Sequence, residues 1–97
     1  MTVTKTQDGS AVTLNVEGRL DTVTAPQLEQ EIQALQDAQS LAVDLKNLEY
    51  ISSAGLRVLL AAHKAFYKKG GLTIANAGEA VMEIFEVTGF KNILNLK

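Results

Sequence analysis

The chain has 97 residues and a net charge of −2, from 9 basic and 11 acidic side chains, and 46% of it is hydrophobic. This is the size of one domain, 1–97, with a core of its own, and so even a charge balance excludes nucleic-acid binding driven by phosphate neutralisation. With no cysteine and a single histidine, His63, disulfides, thiolate chemistry and multi-histidine metal sites are excluded as well.

The first elements read as strands. Thr2, Thr4 and Thr6 alternate with Val3, Lys5 and Gln7, Asp8-Gly9 is a turn pair, and Val12, Leu14 and Val16 then alternate with Thr13, Asn15 and Glu17. Period two with one apolar face predicts a β-hairpin ending at Gly18. Pro26 suits the first turn of a helix capped by Thr24 or Ala25. Leu28, Ile32 and Leu35 recur at helical spacing among Glu and Gln residues, so this helix is expected to run to about Ala38.

Leu41 to Leu45 is a short apolar run with the character of a central, parallel strand. Lys46 to Ile51 reads as a connection, and a second helix begins at Ser52 or Ser53. Its apolar set is Leu56, Leu59, Leu60, His63, Phe66 and Tyr67, and Gly70-Gly71 stops it. Leu72 to Ala75 is another strand. Glu79 to Thr88 is a third helix with Val81, Met82, Ile84, Phe85 and Val87 as its apolar set and Gly89 just past its end, and Ile93-Leu94 starts a last strand. The order ββαβαβα(β) predicts an α/β domain: an N-terminal hairpin leading into a mixed sheet of four or five strands, with helices packed on it.

Several chemistries have no residues to carry them. There is no Gly-x-x-x-x-Gly-Lys-Ser/Thr loop and no Gly-x-Ser-x-Gly elbow, and the glutamates are scattered over separate elements. No cofactor, metal or catalytic residue is expected. The longest aliphatic run, Val58 to Ala62, is far short of the roughly 20 residues a membrane span needs. Met1 to Ser10 lacks the apolar core of a signal peptide. The expectation is a soluble protein that stays in the cytoplasm and does not act at a membrane.

What stands out is the run from Val43-Asp44-Leu45 to Ser52-Ser53-Ala54-Gly55-Leu56-Arg57: a strand, a loop and a helix start carrying two serines. Ser52 in the cap position accepts a backbone N–H two or three residues on. A serine in the first turn is also where a phosphate is tolerated, because unpaired N–H groups and the positive dipole end face it.

These residues carry a resemblance. Gly18-Arg19-Leu20-Asp21 with Thr24-Ala25-Pro26 and Leu28, then Val43-Asp44-Leu45 through Leu56, then Glu86-Val87-Thr88-Gly89-Phe90 are similar, in order and spacing, to the three signature segments of STAS domains of the stand-alone bacterial anti-sigma-factor antagonist type. The resemblance implies a regulatory protein with no catalysis of its own. It would bind an anti-sigma factor that is also a serine kinase, lose that binding when the kinase phosphorylates a switch serine, and regain it through a PP2C-type phosphatase. Matching Gly55-Leu56 to the family's Gly-Leu makes Ser53 the acceptor, with Ser52 the lesser candidate in the place of the family's Asp and Ala54 in that of its second hydroxyl.

The same resemblance puts Asp21 on the partner surface beside the Ser52-Ser53 loop; the small residues Ala54 and Gly55 suggest a partner backbone approaching tightly there, and Arg57 is counted with them. Asp21 reads equally as a turn residue at a helix start. Arg57, four residues beyond Ser53, shares its helix face and is placed to pair with a phosphate, to meet an acidic partner, or to be merely solvated. Asp44 is expected to tie the loop that follows it, Tyr50 to lie at the surface or the core edge, and His63 at the core edge. A second function fits the same family: accessory subunit of an ABC-type lipid transporter.

Overall fold

In the computed structural model, which describes residues 1–97, the alternating N-terminal segments form β1 (Thr2–Asp8) and β2 (Ala11–Leu20). They pair antiparallel, Val3 opposite Val16 and Gln7 opposite Val12. β3 (Ser40–Asp44) adds to β2 in parallel, β5 (Gly71–Ala75) to β3, and β6 (Asn95–Leu96) to β5. Between them run α1 (Ala25–Gln33), α2 (Ser53–Phe66) and α3 (Glu79–Thr88). The sheet order is β1-β2-β3-β5-β6, and β4 (Leu48–Ile51) also pairs with β2.

Each central strand buries one parity of its side chains. Val12, Leu14, Val16, Leu41, Val43, Leu72 and Ile74 point inward, while Thr13, Asn15, Ala42, Asp44, Thr73 and Ala75 keep contact with water. The helices therefore cover one face of the sheet, and Leu28, Ile32, Leu56, Leu59, Phe66, Val81 and Phe85 complete a single apolar core there. The other face is polar or small-chained and needs no cover. The expected α/β class, with a hairpin entering a mixed sheet, is the observed one.

The sheet holds six strands rather than four or five, and the addition is β4. Its burial runs in, out, out, in: Leu48 and Ile51 are buried, Glu49 and Tyr50 exposed. The register explains this. Gly18 faces Leu48, but Arg19 faces Tyr50 and Leu20 faces Ile51. Glu49 is thus an extra residue, a β-bulge, and it destroys the period-two signal by which a strand is read. β3 and β4 occupy successive stretches alongside β2, so one lane of the sheet is carried through a break at Leu45 to Asn47.

Three smaller expectations are corrected. α1 stops at Gln33 rather than near Ala38 because the chain tightens. The Leu35 N–H bonds the Ile32 carbonyl and the Ala38 N–H the Leu35 carbonyl, so both apolar side chains are buried without a helix. Tyr67 and Val87, assigned to apolar helix faces, are 73% and 77% exposed. The last strand begins at Asn95, after a 3-10 turn at Phe90–Asn92. Gly89 caps α3 in the left-handed region at φ +81°, as its position after the helix requires.

Candidate functional site

β2 and β4 run parallel and end side by side, Leu20 opposite Ile51. The Ser52 N–H donates to the Leu20 carbonyl at 2.9 Å, which ties the two departing loops together. One loop enters α1, the other enters α2. The juxtaposition of the Asp21 and Ser53 segments is thus a product of the β2–β4 pairing.

The start of α2 is set by Ser52. Its backbone is extended, φ −100° and ψ 177°, and its hydroxyl accepts from the Gly55 N–H at 3.5 Å, the long limit of such a bond. Its carbonyl accepts the Leu56 N–H at 3.0 Å. Ser53 is then the first helical residue, with its side chain exposed, and Ala54 is half-buried. Arg57 is exposed one turn further on.

Gly55 departs from the expected surface. It is buried, and a Cβ there would lie 2.7 Å from Leu20 Cγ and 2.9 Å from Ile51 Cγ1. The absence of a side chain at this position has an internal cause, the close approach of α2 to the ends of β2 and β4. Of the six residues assigned to the partner surface, the structure brings Asp21, Ser52, Ser53, Ala54 and Arg57 to one end of the molecule and turns Gly55 inward.

Asp21 organises the other loop. Its Oδ1 accepts the N–H of Val23 at 3.0 Å and of Thr24 at 3.1 Å. In return, the Asp21 N–H donates to Thr24 Oγ1 at 2.9 Å, a reciprocal closure of the turn. The Thr24 hydroxyl lies 2.8 Å from the Arg19 carbonyl and 3.2 Å from Asp21 Oδ1. These N–H groups, Thr24 first, hold the Asp21 carboxyl below its ordinary value against a smaller opposing effect of desolvation, and Arg19 adds to the lowering. Arg19 Nε is 4.0 Å from Oδ2, while its guanidinium stacks 4.3 Å from the centre of the Tyr50 ring. Tyr50 is accordingly at the surface, 37% exposed.

Between the two helix starts lies a cavity of about 380 Å³, walled by Thr22, Pro26 and Glu29 on one side and Ala54, Arg57 and Ala61 on the other. A larger cavity, of about 600 Å³, opens between Ile74, Met82, Leu94 and Leu96. None of its lining residues comes from the Asp21 or Ser53 segments, so its size alone does not make it the site.

The remaining singled-out residues fall elsewhere. Asp44 accepts the Lys46 N–H at 2.9 Å and the Asn76 side-chain amide at 3.1 Å, a structural tie between β3, its loop and the end of β5. His63 is half-buried at the core edge, 5.8 Å from the Tyr67 ring in edge-to-face contact, and its Nδ1 has no hydrogen-bond partner. No group of three or more acidic or histidine side chains converges on a metal-sized space, and no helix is long and apolar enough to cross a membrane. Sequence reasoning passed over Val23, the most exposed of the large apolar side chains at 86%. The flanking Asp21 and Thr24 marked a turn, but nothing in the sequence indicated which way the valine points.

Comparison with known proteins places this geometry. The family model described as Mlab, STAS domain, matches residues 3–95. The anti-sigma-B factor antagonist of Bacillus subtilis is 30% identical over 92 residues, 93% of this chain and 84% of that protein. An anti-sigma factor antagonist from Mycobacterium paratuberculosis superposes with a TM-score of 0.88 at 30% identity, over 98% of this chain and 83% of that one. The Bacillus cell fate determinant SpoIIAA in its phosphorylated form superposes at 0.76 with 14% identity, over 99% of this chain and 91% of that one, a likeness of fold.

Proposed function

The chain belongs to the STAS domain family, and on that premise we propose that it is an anti-sigma-factor antagonist: a cytoplasmic, non-enzymatic protein that binds an anti-sigma factor with serine kinase activity and is switched off by phosphorylation of Ser53. The observation that carries the reading is the placement of Ser53. It is an exposed hydroxyl at the first position of α2, beside the Asp21 turn, on a chain whose relatives bear that name.

The physical logic of the switch lies in where the added charge is tolerated. A phosphate brings roughly −1.5 to −2 charges and strong acceptor oxygens. In the free domain these face the unpaired N–H groups and positive end of α2, with water on the other side, so the fold accommodates them. Arg57, one turn along the same face, adds a charge-assisted partner. In a complex, the same group is desolvated and displaces contacts at Ala54. Modification thus costs free energy in the bound state far more than in the free state, the condition for shifting a binding equilibrium. Removal of the phosphate by a PP2C-type phosphatase restores binding.

The test is incubation with the cognate anti-sigma kinase and ATP, site mapping by mass spectrometry, and titration of each form against the kinase. Stoichiometric modification at Ser53, no modification of Ser53→Ala, and loss of binding on modification are expected. Phosphorylated protein that binds as tightly as unmodified protein overturns the switch. A second reading is favoured by one observation, the Mlab description of the matching family model: an accessory subunit docking on the ATPase of an ABC-type lipid transporter. Co-purification with a transporter ATPase, in place of an anti-sigma kinase, would establish that reading instead.

A further inference from the structure

The Asp21 turn carries a contact residue that its own chemistry holds in place. Val23 is 86% exposed, so it contributes almost nothing to the core. Its backbone is nonetheless fixed: the Val23 N–H is bound to Asp21 Oδ1, the next N–H is bound to the same oxygen, and the Asp21 N–H closes the turn on Thr24. An apolar side chain held out on a pre-ordered turn is what a binding anchor requires, because its ordering cost is already met before association. It is also where partner contact is expected, since Thr22 beside it and Ala54 beside Ser53 wall the same cavity.

Asp21 itself is poorly placed as a free charge. Oδ1 is occupied within the turn, Oδ2 faces Arg19 at 4.0 Å, and the side chain is 32% exposed. Glu29 and Arg57, on opposite walls of the cavity, differ from it in this: the ion pairs of the molecule are Arg19–Asp21 and Lys91–Glu86, so both are free to meet a partner. We infer that Val23 is an anchor of the partner interface, that it inserts into an apolar pocket of the anti-sigma factor bordered by groups complementary to Glu29 and Arg57, and that Asp21 is a positioning residue acting through Val23 rather than a direct charge contact.

This rests on the reading of the chain as an anti-sigma-factor antagonist, and the test separates the two. The purified chain is titrated calorimetrically against the purified cognate anti-sigma kinase, and each variant is melted to verify its fold. Val23→Ser weakens binding roughly tenfold or more, the scale of one buried apolar anchor, with an unchanged melting temperature. Asp21→Asn keeps the Oδ1 acceptor and binds within about threefold of the parent, whereas Asp21→Ala loses about as much as Val23→Ser. Val23→Ser binding within twofold of the parent overturns the anchor. Asp21→Asn binding as poorly as Asp21→Ala overturns the positioning role in favour of a direct charge contact. If the unsubstituted chain fails to bind the kinase at all, the functional reading falls and takes the anchor with it, an outcome distinct from loss confined to the variants.

Discussion

Gly55→Ala tests how the end of α2 is seated. The new methyl would stand 2.7 Å from Leu20 Cγ, 2.9 Å from Ile51 Cγ1 and 3.0 Å from Leu20 Cδ2. All three distances are well inside ordinary van der Waals contact, and neither neighbour has room to yield, since Leu20 is 0% and Ile51 1% exposed. Overpacking costs about 1–3 kcal/mol, and two contacts under 3.0 Å against unyielding neighbours put this one in the upper half, about 2–3 kcal/mol. Against it stands the gain from replacing a helical glycine by alanine, about 0.5–1 kcal/mol. The balance is a loss of about 1–2.5 kcal/mol. At about 4–8 °C per kcal/mol for a chain of this length, the melting temperature falls by roughly 4–20 °C. Urea titration followed by far-UV circular dichroism gives the free energy, and a thermal scan the shift. A Gly55→Ala variant as stable as the parent, or more so, would mean that α2 does not press on Leu20 and Ile51 as described.

Three further outcomes follow from the same geometry. Ser52→Ala removes a cap whose bond is already long at 3.5 Å, so its cost in urea titration is expected at the low end of the cap range, about 0.5–1 kcal/mol. Ser53→Asp leaves the unfolding free energy from urea titration within about 0.5 kcal/mol of the parent, because the residue is exposed at a helix start; under the proposed function it is expected to weaken kinase binding less than phosphorylation would, having less charge and fewer acceptor oxygens. Asp21 has a carboxyl held below the ordinary 3.8, and a depressed value adds stability that is full above the unfolded-state value and lost as the pH falls through the folded-state one. The advantage of the parent over Asp21→Asn in urea is therefore expected at pH 6 and should disappear as the pH is taken below 3.8. An advantage unchanged down to pH 2.5 would refute the carboxylate's role in the turn.

Most of the frame was legible because its signals are local. The hairpin declares itself by alternation, α3 by helical spacing closed with Gly89, and the cap at Ser52 by a hydroxyl before an apolar run. What escaped depends on neighbours distant in sequence. β4 has no alternation because a bulge interrupts it, and the bulge exists only relative to β2. Gly55 suggests an exposed tight approach until Leu20, 35 positions earlier, is seen to fill the space beneath it. Asp21 was legible as a turn residue, but its occupied Oδ1 and the outward valine are properties of the folded turn.

The bulge at Glu49 also bears on how this domain can change over evolutionary time. Removing one residue from a regular strand turns everything beyond it to the wrong side of the sheet, so a deletion within Ser40–Asp44 would expose what the core needs. At Glu49 the surplus residue is already outside the ladder: with it deleted, Leu48, Tyr50 and Ile51 would face Gly18, Arg19 and Leu20 in plain alternation, inward side chains still inward. The chain therefore carries one site, four residues before Ser53, where a change of length moves the loop without inverting the sheet. Homologous domains are expected to differ by single-residue gaps at this position more often than anywhere in the flanking strands.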